Sequence, residues 1–243
     1  MEDEFLLNEI EEQNKQEKKE EEENIRNMIR KGFIAKVYGL LLIQLSLTFG
    51  FIVLSIEIKS LTFFLLDHFG LYIIISIIPF IILIAIVIKP QIMRKVPINY
   101  ILLFIFSFSF GYTNVLFVLR FKKVNIYLSM LLTLIVVLSL TIYAYKTKED
   151  FTLMGGIFFV FLILICFASI INIFLGIKIL DLMIDIFSVF LFSLYIIYDT
   201  QIILGNKSLS LSEDDYILAV LNLYLDIINL FIHILKLVSF MNR

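Results

Sequence analysis

Residues 216–239 read YILAVLNLYLDIINLFIHILKLVS, an almost continuous apolar stretch that carries a few isolated polar side chains. At a rise of 1.5 Å per residue, roughly 20 residues of helix cross the ~30 Å hydrocarbon core of a bilayer. The stretch meets that length, and its apolar residues occupy all sides of a helix rather than one stripe. It therefore predicts a transmembrane α-helix.

Six similar apolar runs precede this one along the chain. They lie at about 33–56, 71–89, 98–118, 124–145, 153–175 and 180–204. Hydrophobic residues make up 60% of the 243 residues and charged residues 17%, against roughly 45–50% and 25% in soluble domains. Strands of a membrane barrel would be about half as long and would alternate polar and apolar residues. We therefore predict an all-α polytopic membrane protein with seven transmembrane helices in residues 33–243.

Residues 1–32 differ from the rest of the chain because they hold half of its 22 acidic residues. Such a segment has too little apolar surface to fold alone, so it predicts a disordered cytosolic tail, with partner binding as a further role. A signal peptide is not indicated, because no basic start leads at once into an apolar core. Basic residues are more numerous on the N-terminal side of the predicted spans, which favours a cytosolic N-terminus. The side of the C-terminus stays open.

The overall composition excludes several classes of function. A net charge of −2 gives no basic surface for nucleic acid. One cysteine, Cys166, cannot form an internal disulfide, and two histidines are too few for a histidine-based metal site. We therefore expect a bilayer as the main partner, no tightly bound cofactor and no enzymatic activity.

Two carboxylates, Asp199 and Asp226, lie inside apolar runs. A carboxylate at the centre of a membrane helix costs roughly 2.5–3.5 kcal/mol on insertion scales. Such residues usually face a partner or a water-filled pathway. The alternative is a structural hydrogen-bonded pair that joins two helices.

Polar side chains follow one face of each of the last two predicted helices. The spacings are i, i+4, i+7 and i+11 in the last helix, and i, i+3, i+10 and i+14 in the one before it. These sets are Asn222, Asp226, Asn229 and His233, and Asp185, Ser188, Tyr195 and Asp199. Antiparallel neighbours joined by a short loop would bring the two faces together, so the spacing predicts a polar interior.

A polar interior of this kind would suit proton and cation chemistry. Two carboxylates that share a site cannot both ionise cheaply, so Asp199 and Asp226 would titrate as a pair and hold one proton near neutral pH. The pair could also bind Ca²⁺, which prefers oxygen ligands, with further oxygens from Asn222 and Asn229. Arg94 or the adjacent Lys95 could hold a closed form by pairing with one carboxylate. The hypothesis is a proton switch that governs a cation path.

Residues 195–205, YIIYDTQIILG, and residues 221–231, LNLYLDIINLF, resemble the sixth- and seventh-helix motifs of the Bax inhibitor family, most closely those of its Lifeguard branch. Further upstream, residues 29–50 resemble the first helix of that branch, and residues 147–156 resemble the loop before the fifth helix. The resemblance extends over roughly residues 29–239.

This resemblance implies a seven-helix fold in which Asp199 and Asp226 are the paired aspartates of the ion pathway. It also implies a pH-sensitive Ca²⁺ leak across an internal membrane, the endoplasmic reticulum or Golgi, and suppression of cell death. Bacterial relatives pair an arginine of the second helix with the sixth-helix aspartate. The nearest match to that arginine is Arg94, which follows Met93.

Two other readings of the membrane aspartates compete with a leak. An intramembrane aspartyl protease also needs two aspartates, but its second motif has Gly-x-Gly before the aspartate, whereas Leu223, Tyr224 and Leu225 precede Asp226. A non-transporting scaffold that binds other channels or death regulators would suit the acidic tail. A retinal-type receptor would need a lysine deep in the last helix, and Lys236 lies near its end.

Overall fold

The computed structural model describes the backbone of residues 2–242 and the side chains of residues 14–68 and 70–242. Regular structure in this part of the chain is helical throughout, with eight α-helices and three short 3-10 helices. The α-helices are α1 (Glu2–Glu57), α2 (Lys59–Asp67), α3 (Phe69–Ile88), α4 (Ile98–Val118), α5 (Lys123–Lys146), α6 (Gly155–Leu175), α7 (Lys178–Leu204) and α8 (Tyr216–Met241). The 3-10 helices are Pro90–Arg94, Phe151–Met154 and Glu213–Asp215.

Seven of these helices are long and apolar enough to cross a membrane, namely all except α2. The nine residues of α2 span only about 14 Å, less than half of a bilayer core. Each apolar run identified in the sequence coincides with one of the seven helices, and only the runs at 71–89 and 153–175 extend past a helix end, by one and two residues. The prediction of an all-α multi-pass membrane protein is therefore confirmed.

The N-terminal segment differs from the expected disordered tail, because α1 runs without a break from Glu2 to Glu57. Residues 1–31 contain no Gly or Pro, and Glu and Lys are good helix formers. A helix that is already nucleated in the membrane also extends at little further cost. At 1.5 Å per residue, the 56 residues of α1 measure about 84 Å, well beyond the ~30 Å of a bilayer core.

Helix α8 lies at the centre of the bundle and packs against α1, α4, α5 and α7. Some 67% of its most apolar window is buried, compared with 11% for the window of α6. The most extensive helix pair in the structure is α7 with α8. Because protein surrounds α8, its polar side chains can find partners without facing lipid.

Candidate functional site

The last two helices bring Asp199 and Asp226 together. Both residues are 8% exposed, and their side chains lie close enough to interact with each other. Two buried carboxylates that share a site cannot both ionise cheaply, which favours one proton held between them. The two aspartates predicted from the sequence therefore lie side by side.

One oxygen of the pair has no hydrogen-bond partner. Oδ2 of Asp226 is buried and unpartnered among the described residues. A buried acceptor without a partner costs about 1–3 kcal/mol, and a charged one costs more. Natural structures rarely retain such an atom without a reason. A proton or a cation bound at this oxygen would therefore remove the free-energy cost of leaving a buried acceptor without a partner.

Aromatic side chains from α6 and α7 lie near this pair. Tyr195, a predicted member of the polar face, is close to both aspartates. Its ring lies 5.7 Å from that of Phe158 and 6.3 Å from that of Tyr198, centroid to centroid, both in edge-on arrangements. These ring contacts join α6 to the part of α7 that carries Asp199.

The remaining predicted polar residues of α8 do not all join the pair. Asn222 is half-buried one turn before Asp226. Asn229 donates its amide Nδ2 to the backbone oxygen of Leu225 at 2.8 Å, within its own helix. His233 instead contacts Asp185 on α7, with 2.8 Å between Nδ1 and Oδ1. The polar stripe of α8 therefore serves two separate sites.

Arg94 does not contact the aspartate pair in this structure. Its Nε and Nη2 donate to the two carboxylate oxygens of Asp215 at 2.7 and 2.8 Å. These hydrogen bonds to Asp215 hold the pKa of the Arg94 guanidinium above its usual range. Arg94 ends the 3-10 helix that follows α3, so its half-exposed side chain lies at the end of the bundle. The neighbouring Met93 is the residue that faces inward, at 2% exposed. Arg94 was expected to pair with one aspartate of the buried pair, but in the structure it forms its ion pair with Asp215.

Within the described residues, no group of three or more His, Cys, Asp or Glu side chains could hold a metal ion. Asp199 and Asp226 together offer four carboxylate oxygens. Ca²⁺ takes six to eight oxygen ligands, so water or backbone would have to complete its shell. This donor set suits brief coordination of a passing ion better than a resident metal.

Arg30 fixes the end of α7 that carries Asp199, a contact that the sequence did not reveal. Its guanidinium donates to the backbone oxygens of Ile202 at 2.6 Å, Leu204 at 3.3 Å and Leu211 at 2.7 Å. It also pairs with Glu213 at 3.1 Å. The last carbonyls of a helix have no partner within the helix, and here a side chain of α1 supplies one.

Gly205 gives Arg30 the room to reach those carbonyls. It follows α7 with a left-handed backbone (φ 68°), a conformation that is common at helix ends and that glycine adopts without steric cost. A Cβ at this position would collide with the Arg30 guanidinium. The glycine after a long apolar run was a visible sign of the helix end, but it gave no indication of the arginine that packs on it.

Two loops at this same end of the bundle are tied to each other. The buried side chain of Gln201 donates to the Glu149 backbone oxygen at 2.9 Å and accepts from the Phe151 backbone N–H at 2.8 Å. Lys207 donates to the backbone oxygens of Thr147 and Lys148. The loop before α6 and the loop after α7 therefore form one layer that covers the end of α7.

Asp150 belongs to this layer and gives a prediction about stability. Its carboxylate accepts from the Ser208 N–H at 3.0 Å and from the N–H and hydroxyl of Thr152 at 2.9 and 2.6 Å, and these bonds hold the pKa of Asp150 well below its usual range. A lowered folded-state pKa contributes stability above the unfolded value of about 3.9, and that contribution is lost as pH falls toward the folded value. We expect Asp150→Asn to melt at a lower temperature than the wild type at neutral pH, with a difference that shrinks below about pH 4.

The control for this measurement is Asp67→Asn, since Asp67 is an exposed aspartate at the end of α2. Its melting temperature should follow that of the wild type across the pH range. A melting difference for Asp150→Asn that stays constant down to acid pH would contradict the assigned hydrogen bonds.

Comparison with known proteins finds a matching family and several similar proteins. Residues 30–243 match the family described as "Inhibitor of apoptosis-promoting Bax1". The "BI1-like protein" of Arabidopsis thaliana is 35% identical over 217 residues, which cover 87% of this chain and 81% of that protein. "Protein LIFEGUARD 3" of Arabidopsis thaliana is 33% identical over 221 residues, covering 88% and 87%. "Protein lifeguard 4" of Mus musculus is 31% identical over 215 residues, covering 88% and 87%.

The matched region includes Arg30, both aspartates of the buried pair and all of the seven apolar helices except the outer part of α1. The relatives are matched over most of their own length as well as most of this chain. The chain therefore belongs to the Bax inhibitor family, in its Lifeguard branch.

Proposed function

We propose that this protein is a pH-sensitive Ca²⁺ leak of an internal membrane, with a cytosolic N-terminus and a role in suppressing cell death. The observation that carries the proposal is the buried contact between Asp199 and Asp226, in the most extensive helix interface of the structure. The family's description as an inhibitor of apoptosis-promoting Bax1 supports the role in cell death. Location in the endoplasmic reticulum or Golgi belongs to the same proposal.

The mechanism follows from competition between a proton and a cation for the same oxygens. With one proton shared, the pair carries one negative charge and is held together by a hydrogen bond. A Ca²⁺ ion favours two ionised carboxylates, so its binding displaces the proton. Because both side chains are shielded from solvent, passage of an ion requires α7 and α8 to move apart at this point. The protonation state of the pair thus sets how readily the path opens.

Ca²⁺ influx into liposomes that contain a Ca²⁺-sensitive dye tests this proposal. We expect influx through the wild-type protein to change with pH over about pH 6–8, since a coupled carboxylate pair can titrate in that range. Asp199→Asn and Asp226→Asn should each alter that pH dependence. Asp67→Asn, a neutralised aspartate on the surface, should behave as the wild type.

Two results would count against a carboxylate-gated leak. Influx no faster than in empty liposomes at every pH would reject transport itself. An unchanged pH response in both Asn variants would leave a leak but would assign its pH sensitivity to other groups.

The long α1 favours a second function, that of a membrane scaffold. Its described side chains from residue 14 to residue 29 are all exposed, so this part of the helix is available to a partner protein. Deleting residues 1–24 separates the two functions, because Arg30 and the bundle are left intact. Loss of cell-death suppression with unchanged Ca²⁺ influx would support the scaffold; unchanged suppression would reject it.

A further inference from the structure

A second ionisable cluster lies at the other end of the α7–α8 interface, where α7 begins and α8 ends. Oδ1 of Asp185 accepts a hydrogen bond from Lys236 Nζ at 3.1 Å and lies 2.8 Å from Nδ1 of His233. The side chains of Asp185 and His233 are 8% and 15% exposed. The imidazole stacks on the ring of Phe192, with 5.9 Å between centroids. Three ionisable groups thus share one largely buried site among apolar helices.

This cluster is distinct from the aspartate pair. On α7, Asp185 precedes Asp199 by 14 residues, and on α8, His233 follows Asp226 by seven. At 1.5 Å per residue, the two sites are roughly 10–20 Å apart along the bundle. Between them lies Ser188, one turn from Asp185, which is fully buried with a hydroxyl that has no partner among the described residues. A buried polar group therefore extends the cluster by one turn of α7 toward the aspartate pair.

Few other charges act on His233. Among the described residues, its charged contact is Asp185, and Lys236 reaches the same carboxylate oxygen. Helix α4 contributes the uncharged ring of Phe117, which lies beneath the Lys236 ammonium. Several other charged groups at this end have separate partners, namely Lys123 with Glu57, Lys122 with the Asn242 carbonyl, and Asp181 with Asn172. Four more are exposed at the surface: Lys59, Asp67, Arg120 and Lys178.

We propose that Asp185, His233 and Lys236 form a proton-binding site that closes this end of the cation path when His233 is protonated. The inference rests on the proposed leak. The negative charge of Asp185 and the positive charge of Lys236 cancel. The cluster is therefore neutral when the His233 imidazole is neutral, and it carries a charge of +1 when that imidazole is protonated. An imidazole changes charge in the range of about pH 5–8. The added charge repels a cation, and an ionised donor also strengthens the bond that ties α8 to Asp185 on α7.

Influx measurements on two histidine variants test this gate. The chain contains only two histidines, and His68→Gln changes the exposed one, which lies between α2 and α3. His233→Gln keeps a hydrogen-bonding side chain at the cluster but cannot take up a charge. At about pH 6, where an imidazole carries a proton, His233→Gln should admit Ca²⁺ several-fold faster than the wild type and His68→Gln. At about pH 8 the three proteins should agree, and equal rates at both pH values would overturn the gate.

Histidine NMR supplies a readout that does not depend on flux. In the His68→Gln protein every histidine signal belongs to His233, and it should move when the imidazole takes up a proton. Asp185→Asn should change that signal, whereas Asp67→Asn should not. A signal that is constant with pH would overturn the proton-binding site even if the leak is real. A signal that moves in a protein without any influx would instead reject the leak, and with it the gate.

Discussion

Replacing Arg30 with alanine is expected to lower the free energy of unfolding by about 3 kcal/mol or more. The substitution removes two hydrogen bonds to backbone oxygens at the end of α7, one to the Leu211 oxygen in the following loop, and one ion pair with Glu213. The Arg30 side chain is 14% exposed, so water would replace the lost donors poorly. Bonds from a charged donor contribute about 1.5–3 kcal/mol each, although they do not add fully. Unfolding by SDS titration in mixed micelles would measure this loss.

Arg30→Lys is the matched control for this prediction. Lysine keeps the positive charge but lacks the planar fork that serves several acceptors at once. We expect it to recover the ion pair with Glu213 and only part of the backbone contacts, so its stability should fall between those of the wild type and Arg30→Ala. Equal stability of Arg30→Lys and the wild type would show that charge alone, rather than the capped carbonyls, holds α7 in place.

Gly205→Ala should destabilise the protein by two separate effects. Alanine in a left-handed conformation costs about 1–2 kcal/mol. In addition, the new Cβ would displace the Arg30 guanidinium from its carbonyl partners. We therefore expect a loss of about 2–4 kcal/mol when the strain and the lost hydrogen bonds are taken together. The same SDS titration measures it.

The double variant separates those two effects. Once Arg30 has been truncated, the collision at Gly205 no longer exists, and Gly205→Ala should cost only the backbone strain of about 1–2 kcal/mol. The two substitutions should therefore be clearly less than additive. Full additivity would mean that the glycine is needed for its backbone alone and that the close approach of Arg30 contributes nothing.

The sequence predicted the helices and the aspartate pair well, because both depend on patterns within single helices. Apolar runs of full membrane length leave little doubt about where spans lie. The polar stripes on α7 and α8 predicted that Asp199 and Asp226 face each other, since a polar stripe in a membrane costs free energy unless a polar partner covers it. In the structure the two aspartates are buried close together.

The same stripes could not show how the two helices are registered along the bundle. Asp226 and His233 share a face, yet seven residues separate them by about 10 Å along the axis. His233 therefore meets Asp185 rather than the aspartate pair. The spacing of residues shows which face of a helix they share, but it does not show which residues of two packed helices lie at the same height. That information comes only from the packing of α7 against α8.

Two other differences between the sequence-based expectations and the structure, at the start of α1 and at Arg94, have local causes. The acidic segment at the start of α1 has a composition typical of disorder, but its residues are strong helix formers that continue an existing helix. Arg94 was chosen as the nearest match to the second-helix arginine of bacterial relatives, but it lies in a 3-10 helix after α3 that begins with a proline. In this turn Met93 faces inward and Arg94 pairs with Asp215.

The central claim is that Asp199 and Asp226 share a proton that Ca²⁺ displaces, and infrared difference spectroscopy of the protein in lipid tests it most directly. Addition of Ca²⁺ should remove a protonated-carboxyl band from the wild-type spectrum and release protons to the medium. Asp199→Asn and Asp226→Asn should each abolish that change, while Asp67→Asn should retain it. A wild-type spectrum without any Ca²⁺-sensitive carboxyl band would contradict the account.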